Sequence, residues 1–282
     1  MRIAVTYICT GKYEMFWDTF YKTCEEHFYP GYAKEYFVFT DSERIIHQKL
    51  ENVRVYYQAK SGWPYDTLLR FNWFCTIQDH LSNFDYCYYM NANSVFLHDM
   101  DETNAPFPTA EKPLVLAIHT PYFDDYLGET FHPERNPLST AYVPYGANCR
   151  AHMGGFFGGT SDQFIRMSCT LRDRIADDLS RGIIAVWHDQ SHLIKYATEV
   201  SHYDLAKGVV CSEEYIENRE ICALMFPSKA KYGGNDNLRG VSLKTRIRHL
   251  PKKIYAKMLK IAKVCHADSI VHGLVNKMKG KK

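Results

Sequence analysis

Apolar runs of strand length alternate with stretches of helical spacing through the first half of the chain. Residues 2–9 read as a first β-strand, Tyr36-Phe37-Val38-Phe39-Thr40-Asp41 as a second and Val53-Arg54-Val55-Tyr56-Tyr57 as a third. Phe16, Trp17, Phe20 and Tyr21 mark an aromatic-rich helix after the first strand, entered through the polar turn Thr10-Gly11-Lys12-Tyr13. Trp63-Pro64 opens a further helix that runs to Leu81, with Leu68, Phe71, Phe74 and Cys75 on one face. Pro64 suits a first helical turn, where a backbone N–H has no partner to lose. The aromatic run from Tyr86 to Met90 reads as a buried strand that breaks off at the small polar triplet Asn91-Ala92-Asn93. Such alternation predicts an α/β fold with a nucleotide-binding half.

Further along, Leu114 to His119 is another strand, followed by a long polar loop from Thr120 to Ala151. Loops of that length usually carry function. His152-Met153-Gly154-Gly155-Phe156-Phe157-Gly158-Gly159-Thr160 comes next, and its four glycines imply close backbone approach to a ligand or neighbour. Phe164, Met167, Leu171 and Ile175 share one side of a helix from Ser161 to Leu179. The apolar run from Ile183 then turns into a helix whose first residues are His188-Asp189-Gln190-Ser191.

With 282 residues, 46% apolar and 23% charged, the chain has the composition of a soluble globular protein. No run of about 18 apolar residues is present, which predicts no transmembrane helix. The N-terminus reads as a strand and not as a signal peptide. Nine cysteines without a Cys-x-x-Cys pair suggest reduced, buried thiols and a cytoplasmic setting. The net charge of +2 conceals an asymmetry: residues 240–282 carry twelve Lys or Arg against Asp268 alone, leaving −9 on the remainder. The expected division is therefore a mildly acidic globular domain over 1–240 and a basic tail over 241–282. Leu250, Ile254, Met258 and Ile261 would share one helix face, with lysines filling the other. A basic amphipathic helix over 243–279 fits attachment to an anionic membrane surface, on the inner face of the membrane, or packing on its own domain. Nucleic-acid binding is not expected, because no aromatic stacking platform accompanies the charge.

Candidate chemistry gathers at three places. In open α/β sheets ligands sit beyond the carboxyl ends of strands, so Asn91-Ala92-Asn93 is either a ligand site or an Asn-rich turn. Nucleotide-sugar transferases often have Asp-x-Asp there to hold a divalent cation, a task two amides cannot perform. Arg70 is either a surface charge or a guanidinium for a diphosphate. At 188–191 the helix start fits chemistry on an anionic ligand or a capping arrangement with Asp189 at the N-cap. His188 and His192 lack the Glu of a zinc-protease motif, so no metal is assigned to them.

These segments together resemble glycosyltransferase family 6, the retaining α-1,3-galactosyl and N-acetylgalactosaminyl transferases that include the blood group A and B enzymes. The resemblance covers residues 2–240. It rests on Thr10-Gly11-Lys12-Tyr13, Val38-Phe39-Thr40-Asp41, the Trp63-Pro64…Arg70 helix, Met153-Gly154-Gly155-Phe156-Phe157-Gly158-Gly159 and Ala185-Val186-Trp187-His188-Asp189-Gln190-Ser191-His192-Leu193. It implies a GT-A type, Rossmann-like single domain that binds UDP-GalNAc or UDP-Gal. Ile8, Thr10 and Tyr13 would line the uridine site, and Arg70 would lie near the donor sugar and phosphates. Asn91 and Asn93 replace Asp-x-Asp as in the metal-independent bacterial branch, so no cofactor is implied and activity in excess chelator is expected. Lys231 and Arg239 would then supply charge for the leaving diphosphate.

By the same resemblance, Met153, Gly154 and Gly155 face the donor sugar. Glycine at 155 leaves room for an acetamido group while Met153 matches the galactose type, which points to UDP-GalNAc first and UDP-Gal second. Asp189 would hold hydroxyls of the donor sugar. His119, Trp187, His188 and Gln190 would meet a galactoside acceptor, often one carrying α-1,2-fucose, on an oligosaccharide or glycolipid. The family's Phe-Thr-Tyr-Glu-Arg segment appears as Phe131-His132-Pro133-Glu134-Arg135. Gln190 departs most, since the family has Glu there as nucleophile or as the acidic group that stabilises an oxocarbenium-like transition state. The amide fits a natural variant or a substitution that traps a donor complex. The chain is thus expected to be a transferase with activity reduced at Gln190, or a UDP-sugar-binding protein that has lost turnover.

Overall fold

In the computed structural model, the structure describes residues 1–240. The chain divides into two compact units, Met1–Ser228 and a second that begins at Lys229. The predicted tail over 241–282, with its amphipathic segment 243–279, lies outside the described residues.

Strand β1 (Arg2–Ile8), helix α1 (Trp17–His27), β2 (Ala33–Thr40), α2 (Glu43–Ile46) and β3 (Val53–Tyr57) open the first unit. Three short helices follow, α3 (Tyr65–Leu68), α4 (Arg70–Thr76) and α5 (Gln78–Leu81), then β4 (Tyr86–Met90), β5 (Val95–Phe96) and β6 (Leu114–Ile118). The unit is completed by β7 (His152–Thr160), α6 (Ser161–Ser180), α7 (Asp189–Ala197), β8 (His202–Asp204), β9 (Val210–Ser212) and β10 (Leu224–Phe226). Helix α8 (Gly234–Leu238) belongs to the second unit.

Seven strands form the main sheet in the order β3-β2-β1-β4-β7-β6-β8, and β5-β10-β9 form a small second one. Within the main sheet β7 alone runs against its neighbours β4 and β6; every other pairing is parallel. This is the α/β arrangement that the alternating pattern predicts. The buried faces are aromatic: Trp17, Phe20 and Tyr36 sit on one side of β1, while Phe71, Phe74, Phe157 and Phe164 pack with α6 on the other. Each such ring removed from water stabilises the fold by about 1.5–3 kcal/mol before its neighbours are counted.

The glycines of β7 are explained by what faces them. A Cβ on Gly158 would lie 2.1 Å from Tyr88 Cδ1, and one on Gly159 would lie 2.8 Å from the Pro113 carbonyl oxygen. Their bare backbone is what lets Tyr88 and the neighbouring strand close over β7.

The helix expected from Pro64 to Leu81 is broken into three. Thr67 Oγ1 donates to the Pro64 carbonyl at 2.8 Å, Arg70 Nε donates to the Thr67 carbonyl at 3.2 Å, and Thr76 Oγ1 donates to the Trp73 carbonyl at 2.7 Å. Side chains that take up backbone carbonyls compete with the helical ladder, and the axis turns at Leu69 and Ile77. The break lets Arg70 begin a new helix and point inward.

Candidate active site

The carboxyl ends of β1, β2 and β4 lie level, since Ile8 is opposite Phe39 and Tyr7 is opposite Met90. Because β7 runs the other way, its first residues arrive at that same edge, with Met90 opposite Phe156. Asn91 N–H donates to the Gly155 carbonyl at 2.9 Å, extending the ladder by one rung beyond β4. The reversed strand therefore brings Met153, Gly154 and Gly155 beside the Asn91-Ala92-Asn93 triplet, at the crevice where α/β sheets bind ligands.

Both amides of the triplet are engaged. Asn91 Oδ1 accepts from the Tyr89 hydroxyl at 3.1 Å, and the buried Asn93 donates through Nδ2 to the Pro227 carbonyl at 3.1 Å. Ala92 is held through its carbonyl by the Tyr7 hydroxyl at 2.7 Å. A Cβ at Gly155 would meet Asn91 Nδ2 at 2.8 Å and Phe226 Cζ at 3.1 Å. Glycine at 155 thus admits the Asn91 amide and the Phe226 ring, and does not simply leave open volume.

Arg70 is buried at the centre of the site, 4% exposed. Its Nη1 donates to the Gly154 carbonyl at 2.5 Å, its Nε lies 3.2 Å from Asp189 Oδ2, and its guanidinium carbon is 4.5 Å above the Tyr89 ring. Of the two sequence readings, surface charge is excluded. Asp189, 5% exposed, is the first residue of α7. Burial pushes its carboxyl upward, while Arg70 and the backbone N–H groups of Asp189 and Gln190 pull it back. The N-cap is His188, at φ 56° and ψ −128°, and no side chain caps the helix. The capping arrangement that places Asp189 at the N-cap is therefore corrected: its carboxylate turns to Arg70.

Gln190 Oε1 lies 3.1 Å from Gly154 N–H and 3.2 Å from His119 Nε2. Burial lowers the His119 pKa, against the hydrogen bond to Gln190. A neutral His119 carrying its proton on Nε2 gives this oxygen two donors. That is a cradle for an oxygen of higher charge than an amide carries.

On the other flank, Trp187 is 43% exposed, and its indole N–H donates to the carbonyls of Phe131 and His132 at 3.2 and 3.0 Å. Trp63 meets the His188 ring edge-on, with centroids 4.6 Å apart. The segment Phe131–Arg135 thus sits against Trp187. Glu134, buried, accepts the Val186 N–H at 2.8 Å and the Asn136 N–H at 2.7 Å, and so fixes the turn that presents Trp187 and His188.

Ile8, Thr10 and Tyr13 lie at the end of β1 and in the 3-10 turn after it, where Gly11 N–H donates to Asp41 Oδ1 at 2.7 Å. The structure thus joins Asn91, Gly155, Gly154, Arg70, Asp189, Gln190 and His119 in one connected series of contacts. Lys231, on a 3-10 helix, and Arg239, after α8, belong to the second unit. Sequence reasoning missed Tyr89, Glu134 and Phe226. Tyr89 was legible: two residues before Asn91 on a strand, it must share its face.

His192 is buried below the site, with Thr140 Oγ1 3.5 Å from Nδ1 and Asp178 Oδ2 3.8 Å from Nε2. Burial lowers its pKa to about 4, although Asp178 acts in the opposite direction. The folded state resists protonation that the unfolded chain accepts below about pH 6.5. Stability from this group is present above that pH and is lost as pH falls towards 4. Between pH 7 and 4 the wild type is expected to lose roughly 3 kcal/mol more than His192→Asn. Urea unfolding of both at the two pH values measures it, and equal losses would refute the assignment.

The sequence model of glycosyltransferase family 6 matches residues 1–226. The O-antigen biosynthesis glycosyltransferase WbnI of Escherichia coli is 35% identical over 226 residues, 80% of this chain and 94% of that protein. Globoside alpha-1,3-N-acetylgalactosaminyltransferase 1 of Gallus gallus is 29% identical over 70% of this chain, which spans 57% of that protein's length. Histo-blood group ABO system transferase 2 of Rattus norvegicus is 29% identical over 81% of this chain and 66% of its own length. Among the described residues no helix is long and apolar enough to cross a membrane. With its mostly parallel sheet of GT-A type, its glycine strand and its Asp189-Gln190 helix start, the chain belongs to glycosyltransferase family 6.

Proposed function

We propose that the protein transfers GalNAc, or Gal, from its UDP-sugar to O3 of a galactoside with retention at the anomeric carbon and without a divalent cation. The observation that carries this reading is the cradle at Gln190 Oε1, formed by Gly154 N–H and His119 beside the Arg70–Asp189 pair. In the reaction the bond from C1 to the β-phosphate oxygen breaks and C1 bonds to the acceptor O3 on the same face. The O3 proton leaves on the departing phosphate oxygen. Asp189 and the Gly154 backbone orient the sugar, and His119, Trp187 and His188 orient the acceptor. The Asn91 amide beside Gly155 supplies a donor for the substituent at C2, in keeping with UDP-GalNAc. One methyl more or less in such a pocket is worth only about 1–3 kcal/mol, so use of both donors is compatible with it.

Metal independence is supported by the chemistry of the triplet, whose two amides offer no carboxylate and are tied to Tyr89 and Pro227. Transfer to a 2-fucosylated galactoside in buffer freed of Mn²⁺ is expected to change by less than about twofold when Mn²⁺ is added, because a fixed protein dipole can take the ion's part. Strict Mn²⁺ dependence would overturn the metal-free mechanism. Absence of both transfer and UDP-sugar binding would overturn the transferase itself.

A second reading is favoured by Gln190 alone: a UDP-sugar-binding protein whose amide cannot offset positive charge at C1. Tight UDP-sugar binding without product is its signature.

A further inference from the structure

A cluster outside the donor crevice lies at the far side of the sheet. His202 and Asp204 are two residues apart on the three-residue strand β8 and so point to one face; Asp204 pairs in register with Leu116 of β6. His152, the first residue of β7, pairs with Ile118 on the other side of the same strand. Across β6, His152 Nε2 approaches Asp204 Oδ1 to 2.8 Å and His202 Nε2 approaches the same oxygen to 3.3 Å. The three ligating atoms all lie within 4.8 Å of one another.

The hydrogen-bond roles of His202 give this arrangement its chemical meaning. Its Nδ1 lies 2.8 Å from the Val200 carbonyl, which only a donor satisfies. With Nδ1 so engaged, Nε2 is the nitrogen that His202 turns towards Asp204 Oδ1, 3.3 Å away. A divalent ion placed among the three residues would take Nε2 of each imidazole and Oδ1 of Asp204. Zinc bonded at about 2.0–2.1 Å in a tetrahedron separates its ligands by about 3.4 Å; the two imidazole nitrogens stand 2.8 and 3.3 Å from Asp204 Oδ1, so small side-chain shifts admit the ion. A ligating imidazole that donates its other N–H to a backbone carbonyl is the usual way such a ring is oriented. His152 makes no hydrogen bond through its buried Nδ1, so its anchor is Nε2. Arg150 lies 3.2 Å from Asp204 Oδ2, which leaves Oδ1 as the ligating oxygen and moderates affinity. The Asp204 side chain is 27% exposed, giving an ion a path from solvent and room for a water as fourth ligand.

We propose that His152, His202 and Asp204 form a binding site for a zinc-class divalent ion, bridging the start of β7 to the edge strand β8. Such an ion would fix β7 two residues before Gly154, whose N–H holds Gln190.

The test uses the full chain, stripped of metal, desalted under reductant and titrated with Zn²⁺, with bound metal counted by elemental analysis. One equivalent is expected, with a rise in Tm. His202→Asn and Asp204→Asn are each expected to weaken binding at least tenfold and to remove the rise. Co²⁺ bound to the unaltered chain is expected to show tetrahedral d–d absorption without a thiolate-to-cobalt charge-transfer band, a readout that does not depend on the variants folding. Zinc bound equally well by folded variants, a thiolate band, or no stoichiometric binding would each overturn the proposal. Binding and Tm, not turnover, are the quantities read, so these outcomes leave the transferase assignment as it stands.

Discussion

Arg70→Met is expected to cost about 3–5 kcal/mol of stability and to lower kcat/KM for sugar transfer by about 100-fold or more. The side chain is of similar length, so little packing volume changes. What changes is charge: the Asp189 carboxylate, buried at the head of α7, loses its cation, and the Gly154 carbonyl loses its donor. An unpaired carboxylate inside the protein is costly, whereas a pair removed together is often nearly neutral. Arg70→Met with Asp189→Asn is therefore expected to recover most of the stability and none of the activity. Urea unfolding of the single and double variants, beside kcat/KM for each, separates the two effects. A double variant as unstable as Arg70→Met would show that the guanidinium acts through Gly154 and Tyr89, not through Asp189. Arg70→Lys provides a folded control that keeps the charge and loses the fork.

Gln190→Glu is expected to raise turnover by about 100-fold while leaving UDP-sugar affinity and stability nearly unchanged, because electrostatic stabilisation of the reacting centre acts where charge develops. The substitution is isosteric, and the receiving groups already exist: Gly154 N–H at 3.1 Å and His119 Nε2 at 3.2 Å. Both would donate to a carboxylate more strongly than to an amide. The carboxylate would then offset the positive charge that develops on the sugar ring, which Gln190 cannot. An unaltered rate would show that the amide suffices and that same-face attack needs no acidic group. Activity appearing only in Gln190→Glu would identify the wild-type chain as a binding protein with a neutralised catalytic position.

Much of this site was legible because local chemistry marks it. Small polar residues after an aromatic strand announced the crevice at 91–93, and the glycines of 154–159 announced a close approach, which Tyr88 and Asn91 supply. Other parts were hidden for identifiable reasons. Three-residue strands such as β8, β9 and β10 contain too few positions to show a period. The helix from 65 to 81 looked continuous because its apolar face is continuous; threonine hydroxyls and Arg70 break it. Asp189 looked like a cap because capping is the commoner use of an acid at a helix start. Its true partner lies far away in sequence, and only tertiary pairing shows it. The importance of Glu134 was obscured by a segment whose neighbours differ from the family pattern.

The reversed direction of β7 also bears on how the molecule folds. Its partners are remote: Tyr86 of β4 pairs with both Ile3 and Thr160, and β6 joins β7 to His202 of β8. Closing such long loops costs chain entropy before the contacts return it, so these pairings belong to the late part of folding. Local elements such as α1 and α6 can form early, but they hold no complete part of the crevice. Asn91, Gly154 and Gln190 meet only when the central strand has threaded between β4 and β6. A chain in which these pairings have yet to form therefore holds no complete crevice.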